Sequence, residues 1–280
     1  MQKPSVSPIQ IKRFINGKYE FTEDLLAVEE PLEIRLGFGS NQNRQQQRIS
    51  VTMRTPGNDF ELAIGFLFTE GIIASLQDIL TIQYCTEAQT QEQNFNVIRV
   101  ELKENVDFDS ATLQRNFYTS SSCGVCGKAS IDAVFQQCDT KEKPIFSMSP
   151  SIILALSETL RNQQQVFKYT GGLHGCGLFD LKGKLLLSRE DVGRHNALDK
   201  LIGAALGSDQ NILEKSMLVL SGRASFELLQ KAAMAQIPMV VSVGAPSSLA
   251  VETAKRFDIT LIGFVKADKF NIYAGAQRLN

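Results

Sequence analysis

The order of predicted elements in the last third of the chain constrains its fold more than any other feature. A strand at 216–220, a helix at 225–235, a strand at 239–243, a helix at 247–256 and a strand at 259–265 follow one another. Strands joined through helices take right-handed crossovers, so this stretch predicts an at least partly parallel sheet layered with helices. Just upstream, TGGLHGCGLFDLKGKLLLS (170–188) reads as a hairpin turning at Lys182-Gly183, and a helix follows from about 194 to 205. A further helix at 151–165 carries an apolar face through Ile152, Ile153, Leu156 and Leu160. The expectation is a three-layer α/β domain over residues 151–280.

The first half reads differently. LEIRLGF (32–38), RISVTMRT (48–55) and NVIRVEL (96–102) alternate as strands do. Between them PGNDFELAIGFLFTEG (56–71) has helical spacing, with Asn58 or Asp59 as its cap. These elements predict a smaller, β-rich mixed domain over 1–110, with 111–150 as the connecting segment. Two polar stretches, 40–48 with four Gln and two Asn, and 86–94, read as exposed loops. A length of 280 residues is ample for two cores. The net charge of −1 argues against a generic nucleic-acid surface. No apolar run approaches the roughly 18 residues of a membrane span, and residues 1–10 lack an apolar signal core. Five cysteines are too few, and odd in number, for a disulfide scaffold. The chain therefore reads as cytoplasmic with reduced thiols, and with neither nucleic acid nor membrane as a partner.

Three loops at the carboxyl ends of predicted strands share one design: REDVGRHN (189–196), SGRAS (221–225) and SVGAPSS (242–248). Each sets a glycine and hydroxyl residues before a helix, where free backbone N–H groups and the helix dipole attract anions. Ordinary helix capping explains any one of them. Together with Arg189, Arg194 and Arg223 they point to a phosphorylated ligand held by Arg194, His195, Ser221, Gly222 and Arg223. Open α/β sheets bind ligands at this edge. No G-x-G-x-x-G or Walker A pattern occurs, so common dinucleotide and NTP folds are not indicated. Lys266 and Lys269 in IGFVKADKFNIY (262–273) read either as a plain charged loop or as a grip on a nucleotide end.

The chemistry centres on TSSSCGVCGK (119–128), which sets Cys123 and Cys126 two residues apart among Ser and Gly. Lys128 and a helix starting near Ala129 would lower a thiol's pKa and make it nucleophilic. The same spacing is half of a zinc site, although no second C-x-x-C exists. On the motif alone, sulfur chemistry and metal binding stand level. His174 and His195, the two histidines, sit on glycine-rich loops where a pocket role and a structural hydrogen bond are both open. Cys85 and Cys138 read as structural or incidental.

Taken jointly, SSCGVCGKASI, TGGLH, SREDVGRHNALDKLIG, SGRASFELLQKAA, PMVVSVGAPSSLAVETA and LIGFVKADKFNIY resemble the FdhD family, the accessory sulfurtransferases of formate dehydrogenase maturation. RTPGNDFELAIGFLFTEGII extends the resemblance into the first half. It implies that Cys123 receives sulfur as a persulfide from a cysteine desulfurase, with Cys126 as auxiliary. It implies that the sulfur passes to a molybdenum or tungsten cofactor, a bis(pterin guanine dinucleotide), before insertion into formate dehydrogenase. The family's cofactor-binding stretch corresponds to Phe264, Val265, Lys266, Ala267, Asp268 and Lys269, and guanine nucleotides would mimic the ligand. A homodimer is also implied, as is a cytidine-deaminase-like fold for the second domain. The deaminase zinc signature is missing: His195-Asn196-Ala197 stands where H-x-E would, and Gly222-Arg223-Ala224-Ser225 where P-C-x-x-C would. Zinc and deamination are accordingly not carried over. Two alternatives remain at this stage: a cofactor chaperone without chemistry, and a binding protein stabilised by zinc on the C-x-x-C.

Overall fold

The computed structural model describes residues 3–85, 95–106, 108, 148–208 and 211–279. The chain opens with β1 (Val6–Ile15) and β2 (Lys18–Ala27), a hairpin turned by Asn16 and Gly17, both at positive φ. That is the turn an Asn-Gly pair is suited to. Its aromatic side chains face outward, with Tyr19 67% and Phe21 82% exposed.

Next come β3 (Glu30–Phe38), β4 (Gln45–Arg54), α1 (Asp59–Thr69), β5 (Ile79–Tyr84) and β6 (Val97–Leu102). The four strands form a sheet in the order β4-β3-β6-β5, in which only β3 and β6 run parallel. Alternation works as expected on β3, where Leu32, Ile34 and Leu36 are buried against Ile98, Val100, Leu62 and Leu67. Gln45, Gln46 and Gln47, expected in a loop, pair instead with Phe38, Gly37 and Leu36. Backbone pairing does not depend on the polarity of an outward side chain. Residues 86–94, also read as a loop, lie outside the described residues.

The larger unit holds α2 (Pro150–Gln163), α3 (Gln165–Thr170), β7 (His174–Phe179), β8 (Leu185–Asp191), α4 (Arg194–Ser208) and α5 (Asn211–Glu214). It continues through β9 (Met217–Leu220), α6 (Phe226–Met234), β10 (Met239–Ser242), α7 (Ser248–Arg256), β11 (Thr260–Gly263) and β12 (Asn271–Ala274). The six strands order as β12-β11-β10-β9-β7-β8. β9, β10 and β11 are parallel, as the helical crossovers require, and the flanking strands are antiparallel. One face buries Cys176, Leu178, Leu218 and Val240 under α4, α6 and α7. The other buries Phe179, Val219, Val241 and Ile262 under α2 through Ile153, Leu156 and Leu160. This is the expected three-layer α/β arrangement, with a smaller β-rich sheet ahead of it.

The two sheets are joined through α1 and α4. A Cβ on Gly65 would overlap the carbonyl oxygen of Asp199, and one on Gly203 would overlap that of Glu61. Glycine on both helices thus permits backbone-to-backbone contact. Buried charges close the seam. Lys200 Nζ lies 2.7 Å from Asp191 Oδ2 and donates to the Thr55 carbonyl at 2.7 Å. Lys231 Nζ meets Asp199 Oδ1 at 3.0 Å and the Thr69 hydroxyl at 2.9 Å. Asn58 precedes α1 in a left-handed conformation and makes no side-chain cap. Asp59 is taken by Arg54, Nε to Oδ1 at 3.0 Å and the second nitrogen to Oδ2 at 2.9 Å.

Candidate functional site

The carboxyl ends of β9, β10 and β11 emerge side by side, as parallel strands must, so the loops 221–225, 243–247 and 264–270 are neighbours. They nest closely. Gly244 N donates to the Gly222 carbonyl at 2.9 Å, and Phe264 N donates to the Gly244 carbonyl at 3.1 Å. A Cβ on Gly244 would come within 3.0 Å of Arg223 N and of Gly222 backbone atoms, so glycine is needed for that approach. Antiparallel β7 enters beside β9 in a register of Cys176 with Leu220, which brings its first residue, His174, level with Gly222. β8 pairs Asp191 with His174 and delivers the chain into α4 through Gly193. Asp191 Oδ1 accepts from Gly193 N at 2.8 Å and from Asn196 Nδ2 at 3.2 Å, fixing the start of α4 with its Arg194 and His195.

One mouth therefore gathers Arg194, His195, Ser221, Gly222, Arg223 and the 264–269 stretch. Cys123 and Cys126 lie outside the described residues. Of the three similar loops, the structure leaves one open. Ser247 caps α7 by accepting from Ala250 N at 3.2 Å, and Gly193 N is already taken by Asp191. Ser225, at the N-cap of α6, makes no cap bond, and among the described residues its buried hydroxyl has only the Glu227 carboxylate to turn to. Arg194 Nε is likewise buried and unpartnered among the described residues, and His195 Nε2 is buried with only the Glu227 carboxylate beside it. Buried polar atoms are rarely left in this state unless a ligand or water completes them. His195 Nε2 is 3.7 Å from Glu227 Oε2. The neighbouring His195 pulls the Glu227 carboxyl down to about 2, against burial and with help from Ser225 and its own backbone N–H.

The charges separate this mouth from the rest of the molecule. Among the described residues no ion pair involves Arg194, Arg223, Lys266 or Lys269, and the last three are exposed. Arg189, expected as a phosphate contact, is consumed elsewhere: Nε and a terminal nitrogen bind Glu61 at 2.6 and 2.7 Å. A cavity of about 320 Å³ between the two sheets is lined by Lys3, Thr55, Asn58, Arg189, Glu190 and Lys200, among others. Its three cations are already paired with Glu30, Glu61 and Asp191. At the mouth, Phe264 holds a left-handed backbone at φ 55° and is 42% exposed. A bulky residue in that region is strained by about 1–3 kcal/mol, a cost typical of functional loops. Lys266 N and the Lys269 carbonyl close a tight turn at 2.8 Å that presents both lysines outward.

Two residues at the mouth were not among the expected ligand contacts. Glu227 gave no signal, since an acidic residue in a helix's first turn reads as dipole stabilisation. His174 had only its glycine-rich context. Burial first, then Arg194 and His195, hold its imidazole below the usual histidine value, with Asp191 opposing. Cys176 is buried, and burial pushes its thiol up, so it stays protonated and sealed. Among the described residues no three His, Cys, Asp or Glu side chains converge as metal ligands, and no helix is long and apolar enough to cross a membrane.

Comparison with known proteins adds the following. The family model described as the FdhD/NarQ family matches residues 27–280. A Streptomyces coelicolor protein named sulfur carrier protein FdhD is 46% identical over 273 residues, covering 96% of this chain and 94% of that one. The protein of the same name in Mycobacterium tuberculosis is 46% identical over 262 residues, covering 91% and 92%. A crystal structure from Desulfotalea psychrophila, assigned as a formate dehydrogenase accessory protein, matches 99% of this chain and 100% of its own, with a TM-score of 0.73. At 24% identity that likeness speaks for the fold.

Proposed function

The chain belongs to the FdhD/NarQ family, and on that premise we propose that it is a sulfur carrier serving formate dehydrogenase, with Cys123 as the carrying thiol. The Cys123 thiolate attacks the outer sulfur of a cysteine desulfurase persulfide. The donor's S–S bond breaks, the donor leaves as its thiolate, and Cys123 holds Cys–S–SH. Cys126 is auxiliary. The acceptor is the molybdenum cofactor as a bis(pterin guanine dinucleotide), bound as substrate at the strand-end mouth. The observation that carries this reading is the mouth itself, where among the described residues Arg194, Arg223, Lys266 and Lys269 make no ion pair and Arg194 Nε is buried without a hydrogen-bond partner. That donor set suits the diphosphates of a dinucleotide, each charge-assisted bond being worth about 1.5–3 kcal/mol. Phe264 through Lys269 supply the outer wall. Cys176 is buried and its thiol is pushed up by burial, which makes it a poor carrier and supports Cys123, set among Ser and Gly in the sequence.

In this reading residues 1–110 and 151–280 are two domains, the cysteine pair lies on the segment between them, and the protein works as a cytoplasmic homodimer. The test is maturation of formate dehydrogenase in cells lacking the endogenous protein. Complementation with Cys123→Ala should give dehydrogenase without activity, while the variant itself remains folded and binds GDP as well as the wild type does. Full activity with Cys123→Ala, and with Cys123 and Cys126 both replaced, would leave a cofactor chaperone without sulfur chemistry.

A further inference from the structure

Neither capping nor packing explains the placement of His174 at the mouth. It opens β7, and the even-numbered residues after it, Cys176 and Leu178, face the layer of α4 and α6. His174 therefore faces the side on which Arg194, His195 and Ser225 begin those helices. No hydrogen bond of either ring nitrogen occurs among the described residues, and the side chain is only half-buried. A Cβ built on Gly222 would stand 3.4 Å from His174 Nδ1. The missing side chain at 222 thus leaves that nitrogen open to the mouth. The ring is uncharged at neutral pH, because burial and the adjacent Arg194 and His195 disfavour its protonation. An uncharged imidazole offers one donor and one acceptor and is a weak partner for phosphate beside freely available guanidinium groups. It is well matched to the hydroxyls or the base edge of a nucleoside.

We propose that His174 contacts the nucleoside of the bound guanine nucleotide, while Arg194, Arg223 and the two lysines take its phosphates. This assignment rests on the mouth being the nucleotide site. The full-length protein is titrated calorimetrically with GDP, guanosine and pyrophosphate, as wild type and as His174→Ala, His174→Asn and Arg223→Ala. Loss of one neutral hydrogen bond predicts that His174→Ala weakens GDP and guanosine alike, roughly three- to tenfold. Pyrophosphate binding stays unchanged, and His174→Asn recovers part of the loss. Arg223→Ala shows the reverse pattern, weakening pyrophosphate and GDP and sparing guanosine. Unchanged GDP affinity in His174→Ala, or an equal loss for pyrophosphate, overturns the assignment while leaving the site standing. A wild type that binds no GDP removes both. If the alanine variant unfolds, the imidazole resonances of wild-type His174 decide: guanosine should shift them, and no shift overturns the proposal.

Discussion

Replacing Lys200 with Met removes the cation from a buried pair while keeping an apolar stem of similar length. Lys200 is 2% exposed, and its Nζ satisfies both Asp191 Oδ2 and the Thr55 carbonyl, each at 2.7 Å. Removing one partner of a buried pair costs about 3–5 kcal/mol, because the remaining charge stays desolvated. Asp191 keeps three donors, Thr55 N at 3.1 Å, Gly193 N at 2.8 Å and Asn196 Nδ2 at 3.2 Å. That places the loss at the low end, about 3 kcal/mol. In a chain of this size each kcal/mol lowers the melting temperature by about 2–4 °C, so the drop should be about 6–12 °C. Urea denaturation followed by circular dichroism measures the loss directly. The double variant Asp191→Asn with Lys200→Met removes the stranded charge and should recover at least about 1 kcal/mol relative to the sum of the single effects. A single-variant loss under about 1 kcal/mol, or strict additivity in the double variant, would refute the reasoning that the charge pair holds this seam.

Gly203→Ala puts a methyl against the Glu61 carbonyl of the facing helix, and overpacking of about 1–3 kcal/mol should outweigh the roughly 1 kcal/mol of helix propensity gained. A thermal melt higher than the wild type's would contradict the close helix crossing. Acid sensitivity should come from two groups at the mouth. His174 is held below its usual 6.5, so the unfolded chain takes up this proton first and stability falls as pH drops through that value. Glu227, lowered from 4.5 to about 2, contributes stability above 4.5 that is lost as pH falls towards 2. Denaturation midpoints against pH should flatten in the upper range for His174→Asn and in the lower range for Glu227→Gln. Slopes identical to the wild type in both ranges would contradict the assignments.

The second half of the molecule was legible because its alternation of strand and helix leaves few topologies, and the strands at 217–220, 239–242 and 260–263 fall where periodicity placed them. The hairpin of β1 and β2 has a strong turn signal in Asn16-Gly17 but little else in its sequence to mark it. Its large apolar residues are exposed on both strands, so no burial pattern marked a face. The Gln-rich start of β4 is unmarked in sequence for a related reason: a sheet edge is fixed by the backbone, not by the side chains it shows to water. Asn58 was in the right place for a cap, yet a left-handed backbone and the pull of Arg54 on Asp59 replaced that bond. Arg189 looked like Arg194 and Arg223 in sequence. Only folding reveals that Glu61, 128 residues away, already occupies it. For the same reason Glu227 and His174 could not be assigned to the mouth before β7, α4 and α6 were brought together.

The central claim is that Cys123 carries sulfur. The most direct measurement is mass spectrometry of the peptide spanning 119–128 after incubating the purified protein with a cysteine desulfurase and free cysteine. One added sulfur atom is expected on Cys123, removed by reductant and absent from Cys123→Ala. A peptide that gains no sulfur while the desulfurase is active, or an adduct on Cys85, Cys138 or Cys176 alone, would contradict it.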